Sequence, residues 1–170
     1  MAASVRFELR EIDAAKKAIA AAALDSGGRA RLLHGIGVEM ESQTRERFDT
    51  RRSPDGDAWQ ALAQKTKDYY AETGRSHKSL LVGEGHLRDS VTSQVEGGAW
   101  AVLAGATMEY AATHQFGAVI KPRTAKALKV PGLGMLKKAT IPARPYLGVS
   151  AADAKEIASL AAGFLAGGIG

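Results

Sequence analysis

Residues 110–152 form a run of 43 positions without an aspartate or glutamate, and this run constrains the fold more than any other feature of the chain. Its seven basic residues alternate with proline, glycine and β-forming residues rather than with the glutamates that favour helices. Proline and glycine interrupt regular helices. The pattern therefore predicts an exposed, extended ribbon that carries a surplus of positive charge.

The positive charge of the chain is concentrated in this run. Before Tyr110 there are 15 lysines and arginines against 16 acids, and after Ala152 one lysine stands against two acids. The three segments carry −1, +7 and −1, which gives the net charge of +5. We call residues 118–140 the basic arm, and a negatively charged partner is expected to face it. The basic residues of the arm are Lys121, Arg123, Lys126, Lys129, Lys137 and Lys138, and Arg144 follows it.

Length and composition predict one domain with a lean core. A chain of 170 residues buries roughly 70% of its unfolded surface, which is enough for a hydrophobic core. The absence of cysteine excludes disulfides and cysteine-based zinc sites, and fits a reducing cytoplasm. The N-terminal residues alternate apolar and charged side chains and are expected to be mature protein rather than a signal peptide, and no run approaches the ~20 apolar residues that span a bilayer, so no membrane partner is predicted. With 6% aromatic residues and 19 glycines, the core is expected to depend on neighbouring subunits.

Periodicity near the N-terminus predicts a strand followed by two helices. Val5, Phe7 and Leu9 alternate with charged residues, as in a half-buried strand. Asp13 is predicted to cap a helix that runs to about Leu24, and residues 26–28, Ser-Gly-Gly, are predicted to end it in a left-handed turn.

The second helix is predicted from about Arg29 to Arg51. The residues near one face of it are Leu33, Ile36, Met40, Thr44 and Phe48. Gly35 and Gly37 lie inside this helix, where each costs about 1 kcal/mol relative to alanine. Either the first turn is kinked or frayed, or another backbone packs closely against the glycines.

The middle of the chain is predicted to contain a fixed loop and a short helix. Pro54-Asp55-Gly56 has the composition of a turn, and Trp59 is predicted to anchor the loop that follows. A short helix is predicted over residues 65–71, and Leu87 and Val91 share one face of a further helical turn.

The next predicted elements are β-strands. Residues 91–95 and 100–104 are predicted to pair through a glycine-containing hairpin. In the arm, residues 126–130 and 135–141 are predicted to be the two sides of a β-ribbon around residues 131–134.

A corner and a capped helix complete the predicted fold. Pro142 and Pro145 fix a non-helical corner, and Ser150 with Asp153 resembles a capping box. The apolar face of the helix that follows is Ala154, Ile157, Leu160, Ala161 and Phe164. The predicted fold is a single α+β domain: a small antiparallel β-sheet with an extended β-ribbon, packed by two N-terminal helices and a C-terminal helix.

The sequence contains only weak indications of a catalytic or metal-binding site. The four histidines lie in different predicted elements and lack the spacing of a helical zinc site. Glu84, His86 and Asp89 are close in sequence, but a solvated loop explains them better than acid–base chemistry does, because nothing nearby would desolvate them. No enzymatic activity, metal or cofactor is predicted.

The basic arm has three interpretations. Scattered lysines are usually a solvated surface, but here no acid within the segment offers a partner. An exposed basic ribbon is suited to contact phosphates without reading bases. It is equally suited to dock on an acidic protein surface.

Four motifs distinguish between these interpretations of the basic arm. They are SPDGDAWQAL at 53–62, LLVGEGHLRDSV at 80–91, EYAATHQFG at 109–117 and IPARPYLGVSAAD at 141–153. In order and spacing they resemble the virion-morphogenesis, or tail-completion, family of Mu-like tailed bacteriophages. The resemblance covers roughly residues 50 to 155, and the segment 118–140 departs most from it.

The resemblance implies a structural, non-enzymatic protein of the virion, assembled in the host bacterial cytoplasm. It would form a ring, expected to be a hexamer, at the neck or head-proximal end of the tail, with other neck and tail proteins as partners and packaged DNA as a further candidate. A stand-alone DNA-binding module that ignores sequence is the alternative.

The residues at the family's motif positions have two interpretations. They are Trp59, Leu87, Tyr110, Phe116, Gly117, Pro142, Arg144 and Pro145. Tyr110 and Phe116 are predicted to lie on a helical turn that ends at Gly117. In a local-architecture interpretation the aromatic residues are anchors, the prolines fix a corner and Arg144 bridges nearby carbonyls. In the other interpretation these residues form a direct interface.

Overall fold

The computed structural model describes residues 3–8, 26–74, 80, 81, 83, 85–96, 101–130 and 132–167. The helices in these residues are α1 (Ser26–Thr50), α2 (Gln64–Glu72), α3 (His86–Asp89), α4 (Ala111–Phe116) and α5 (Ala151–Leu165). The strands are β1 (Ala3–Glu8), β2 (Val91–Val95), β3 (Ala101–Ala106), β4 (Ala118–Ile120), β5 (Leu128–Val130), β6 (Gly134–Leu136) and β7 (Ala139–Ile141). The predicted α+β class is confirmed.

A three-stranded antiparallel sheet with the order β1-β3-β2 forms the centre of the described fold. Val102 of the middle strand pairs with Phe7 on one side and with Val95 on the other. The predicted hairpin is confirmed, although its second strand begins at Ala101 and continues to Ala106. Trp100, where this strand was predicted to begin, lies outside the described residues.

The outer edge of β2 is covered by side chains of α1. Arg45 donates a hydrogen bond to the Val91 carbonyl at 2.7 Å, and Glu41 accepts one from the Ser93 N–H at 2.6 Å. Arg45 and Glu41 also form an ion pair with each other at 3.0 Å. Two of the outward backbone groups that an edge strand normally leaves unpaired are therefore satisfied here.

Helix α1 packs against β2 and β3, and Gly37 sets how closely it approaches. A Cβ atom at Gly37 would lie 2.5 Å from Ser93 Oγ and 3.2 Å from Val102 Cγ2. A Cβ at Gly35 would lie 3.7 Å from Leu160 Cδ2, which is an ordinary contact. The helix is continuous through both positions, so close packing explains Gly37, and the neighbours are side chains rather than a backbone.

Two apolar clusters lie along α1, and the predicted apolar face of this helix is buried in them. The first cluster joins α1 to β3 and α5 and consists of Leu32, Leu33, Ile36, Met40, Val102, Ala104, Ile157 and Ala161. The second lies at the C-terminal end of α1 and consists of Phe48, Trp59, Leu87, Val91, Ala106, Ala111, Tyr146 and Leu147.

The boundary between the first two predicted helices was wrong. Residues 26–28 are the first turn of α1 and not the end of a preceding helix. The first N–H groups of a helix have no partner within the helix, so glycine is tolerated at its start as well as after its end. The predicted helix from Asp13 to Leu24 lies outside the described residues, as does Leu9.

The basic arm is a nested hairpin rather than one continuous ribbon. β4 pairs with β7 at the base of the arm, and β5 pairs with β6 at its tip. The predicted sides contain β5, β6 and β7, but the base strand β4 was not predicted. Seven residues, 121–127, separate the two ladders on one side and two residues, 137–138, on the other, which prevents a continuous register.

Helix α5 begins with the predicted capping box. Ser150 Oγ accepts a hydrogen bond from the Asp153 N–H at 3.0 Å, and the Asp153 carboxylate accepts one from the Ser150 N–H at 2.6 Å. Ile157 and Ala161 of this helix are fully buried in the first cluster, so its predicted apolar face is confirmed.

Candidate functional site

The base of the arm is fixed to α4 at Gly117. This residue has a φ of 73°, in the left-handed region that favours glycine. A Cβ there would lie 2.8 Å from Ala143 N and 3.0 Å from Ile141 O, so the returning chain passes directly against it. The N–H of Arg144 then donates to the His114 carbonyl at 2.7 Å. Both ends of the arm are therefore held by the same short helix.

Residues 144–148, the RPYLG of the fourth motif, form the platform beneath the arm. Gln115 Oε1 accepts hydrogen bonds from the N–H groups of Tyr146 and Leu147, each at 3.0 Å, and Gln115 Nε2 donates to the Leu147 carbonyl at 3.0 Å. The Tyr146 hydroxyl donates to the Ala111 carbonyl at 3.1 Å. Burial raises the pKa of Tyr146 to about 12. Sequence reasoning did not identify Gln115 or Tyr146, because their partners are distant in sequence.

Arg144 and Trp59 connect the platform to the loop after α1. Arg144 is buried and its Nε donates to the Gln60 carbonyl at 2.9 Å, while burial lowers its pKa. Trp59 Nε1 donates to the Pro145 carbonyl at 2.8 Å, and its ring packs edge to face on Phe48. The local-architecture interpretation describes both residues well.

A buried ion pair joins the platform to two helices. Arg47 of α1 bonds to the Asp153 carboxylate and donates to the carbonyls of Tyr146 at 3.0 Å and Gly148 at 2.9 Å. Burial lowers the pKa of Arg47, and the charge of Asp153 opposes this shift. Because Asp153 also caps α5, this guanidinium links α1, the platform and the start of α5.

His114 lies half-buried on α4, next to the platform. Its ring packs edge to face against Tyr110, with centroids 5.8 Å apart, and its Nδ1 has no hydrogen-bond partner among the described residues. Burial lowers the pKa of His114, and the charge of Arg144 lowers it further. A neutral imidazole is therefore favoured at neutral pH.

The six basic side chains of the arm are exposed. Within the described part of the chain none of them forms an ion pair. They belong to a segment whose ends are fixed, so their positive charges are held together on one hairpin. The predicted positive surface is present, and its charges are not compensated within the described residues.

The base of the arm also exposes large apolar side chains. The exposed fractions are 69% for Phe116, 57% for Val119 and 42% for Tyr110. Ala111 and Gln115 occupy the buried side of α4 at i and i+4, so the two aromatic residues fall outside it. Of the two interpretations of these motif residues, the exposure of Tyr110 and Phe116 fits an interface better than buried anchors. We call Tyr110, Phe116 and Val119 the apolar base.

The tip of the arm rests on α2. A Cβ at Gly132 would lie 2.1 Å from Tyr69 Cγ, so the absence of a side chain lets the turn sit directly against the tyrosine ring. Met135, beside this turn, is 66% exposed. The arm is therefore in contact with the body of the protein at both its base and its tip.

The other motif positions lie in or beside the second apolar cluster. Leu87 is 2% exposed and Trp59 is 6% exposed, and both belong to this cluster. Pro142 and Pro145 are half-buried in the extended segment after β7. These four residues are buried or half-buried and do not belong to the exposed apolar base.

The residues considered for acid–base chemistry are not brought into a cleft. His86 and Asp89 are both exposed on α3, and Glu84 lies outside the described residues. The described residues contain no group of three histidine, cysteine or carboxylate side chains that could hold a metal ion. Among the described helices, none combines the length and apolar character needed to cross a bilayer.

The four motifs and the arm lie within a single family match. The model of the phage virion morphogenesis family covers residues 8–166. The chain belongs to this family. No curated protein and no solved structure matches the chain. The resemblance seen in the motifs is confirmed, and the protein has a structural or assembly role in the virion of a phage.

Proposed function

We propose that this virion morphogenesis protein forms a homo-oligomeric ring, a hexamer, at the neck or head-proximal end of the phage tail. The ring completes the tail and joins it to the head, with neck and tail proteins above and below it, and it has no enzymatic activity. The subunits assemble in the host cytoplasm. The observation that carries the proposal is the apolar base, which is exposed on a rigid support in a protein of the virion morphogenesis family.

The composition of the apolar base fits a subunit contact. Phe116 and Tyr110 are of the types enriched at protein interfaces, and each of them, like Val119, is an exposed apolar residue near the base of the arm. The backbone beneath them is fixed at Gly117 and by the Arg144–His114 hydrogen bond. Little ordering is therefore needed when a neighbour binds, and this lowers the free-energy cost of association.

Light scattering at micromolar concentration, with electron microscopy of assembled tails, tests the ring. The wild-type protein is expected to have the mass of an oligomer and to be found at one end of the tail. Phe116→Ser is expected to yield a folded monomer, because the side chain is 69% exposed and contributes little to the core. Val38→Ser is the matched control, since Val38 is a similarly exposed apolar residue on α1 at 51%.

The decisive comparison is between the two variants and the wild-type protein. An unchanged oligomer in Phe116→Ser, or its loss in both variants alike, argues against the apolar base as the subunit contact. A wild-type protein that is a compact monomer and is absent from purified particles contradicts the ring itself.

A further inference from the structure

We propose that the basic arm binds the phosphate backbone of double-stranded DNA, without sequence preference. The inference rests on the proposed function, in which the ring joins the tail to the head, but its physical basis is separate. The apolar base serves contact between subunits, and the exposed cationic residues of the arm serve the nucleic acid.

A second copy of the chain does not supply the charge that the arm lacks. Residues outside 110–152 carry a net charge of −2, against +7 within that run. Several acids of the body are also engaged already, since Glu41 pairs with Arg45, Asp49 with Arg88, and Asp153 with Arg47. Contact between copies would leave most of the positive charge of the arm without a counter-charge. A polyanion provides that counter-charge.

The positions of two lysines are a further reason to expect a negatively charged partner for the arm. β4 and β7 pair Ile120 with Ala139 as their last partners, and one further step of the same register would place Lys121 opposite Lys138. Like charges directly opposite each other across a ladder destabilise it, and the pairing ends at this point. Phosphate groups between such lysines would relieve the repulsion.

The residue composition of the arm favours contacts with the phosphate backbone of a duplex over readout of bases or stacking on single strands. Between residues 118 and 140 there is no aspartate, glutamate, asparagine, glutamine, histidine or aromatic residue. Asparagine and glutamine are the usual readers of adenine, and aromatic side chains are the usual platforms for unstacked single-stranded bases. Lysine and arginine remain; they are able to contact guanine in the major groove, but they also bind phosphates whatever the sequence.

The inference is tested by measuring how full-length protein binds a fluorescent duplex of random sequence at increasing salt concentrations. The protein concentration is one at which the oligomer forms. We expect the affinity to fall steeply as salt rises from about 50 to 200 mM. In Lys121→Gln/Lys138→Gln the slope of log affinity against log salt is expected to decrease by roughly 0.9 for each lost phosphate contact. In Arg31→Gln/Lys155→Gln, which removes two exposed charges from α1 and α5, the slope should stay unchanged.

Competition identifies the class of partner. Unlabelled duplexes of different sequence should displace the probe equally well, and better than single strands or polyglutamate. Preferential displacement by polyglutamate would overturn the inference in favour of an acidic protein partner. Equal salt slopes in the two double variants would overturn it as well, because binding would then not depend on the arm.

Light scattering on the same samples separates this inference from the proposed function. Loss of DNA binding in Lys121→Gln/Lys138→Gln with the oligomer intact supports the inference. Arm-dependent DNA binding by a protein that never forms a ring would support the cationic surface and contradict the ring. A ring that does not bind duplex DNA would support the ring and contradict the inference.

Discussion

The Arg47 side chain joins three parts of the fold, because its guanidinium contacts Asp153 and the carbonyls of Tyr146 and Gly148. A buried ion pair gains little net stability, since desolvation of both charges offsets their attraction. Removal of one partner is different, because the remaining charge stays buried without a counter-charge. The role of Arg47 is thus to fix the platform relative to α1 and α5.

We expect Arg47→Met to lower the free energy of unfolding by about 3–5 kcal/mol, because Asp153 would stay buried without its partner. Denaturant unfolding measures this loss. Asp49→Asn is the control, since it removes the exposed Arg88–Asp49 pair and should cost about 0–1 kcal/mol. Similar losses in the two variants would show that the buried pair does not hold the platform.

His114 is expected to make stability depend on pH. Its pKa in the folded protein lies below the usual 6.5, so the unfolded chain binds a proton more readily. Stability should therefore fall as the pH drops through 6.5 toward the lowered pKa, and level off below it. In His114→Gln this part of the pH dependence should disappear. His34→Gln, at an exposed position on α1, should retain it, and unfolding midpoints between about pH 5 and 8 compare the variants.

At the scale of elements, the packing of α1 on the sheet depends on which glycine is replaced. Gly35→Ala should stabilise the protein by about 0.5–1 kcal/mol, because a Cβ fits there and alanine favours helix. Gly37→Ala should destabilise it by about 1–3 kcal/mol, because the Cβ would overlap Ser93, whose hydroxyl is held by Glu41. Thermal and denaturant unfolding compare the two variants. Equal effects of both substitutions would contradict close packing at Gly37.

The tip of the arm offers a second matched pair of glycines. Gly132 and Gly134 have φ angles of 75° and 74°, so alanine is strained similarly at both. A Cβ at Gly132 would overlap Tyr69, whereas a Cβ at Gly134 meets nothing within 4 Å. Gly132→Ala should therefore release the tip from α2, with faster amide hydrogen exchange in β5 and β6. Gly134→Ala should not, and equal exchange in the two variants would argue against contact between the tip and Tyr69.

The elements that sequence predicted well are those fixed by local pattern. The apolar face of α1 follows from helical spacing, and the capping box at Ser150 and Asp153 follows from two residues three apart. The base strand β4 was not predicted, because its three consecutive apolar residues, Ala118–Ile120, show no alternation that would indicate a strand. Residues 26–28 were assigned to the end of a preceding helix rather than to the first turn of α1, because glycine is compatible with both positions.

The sequence predicted the positive charge of the candidate site, but not which apolar side chains are exposed or which contacts form the platform. The bases of the arm are visible in the sequence, but the exposure of Phe116 is decided by which side of α4 meets the second cluster. The platform depends on contacts between residues far apart, such as Arg47 with Asp153 and Gln115 with Tyr146. No spacing rule relates such pairs before the fold is known.

At the scale of the molecule, two apolar clusters arranged along one helix make up the described core, and few of their side chains are aromatic. A protein that gains further burial by association is stabilised by mass action. We therefore expect the melting temperature of the wild-type protein to rise with concentration across the micromolar range, as measured by scanning fluorimetry. The melting temperature of Phe116→Ser should be independent of concentration. A constant melting temperature in both proteins would indicate a subunit that is stable alone.

The coverage of β2 by Glu41 and Arg45 has a consequence for subunits at high concentration before virion assembly. Fibres that grow by edge-to-edge pairing of sheets need two free edges on every copy, and β2 has its outward Val91 carbonyl and Ser93 N–H occupied. Joining of sheets from different copies into insoluble polymers is therefore disfavoured at this edge.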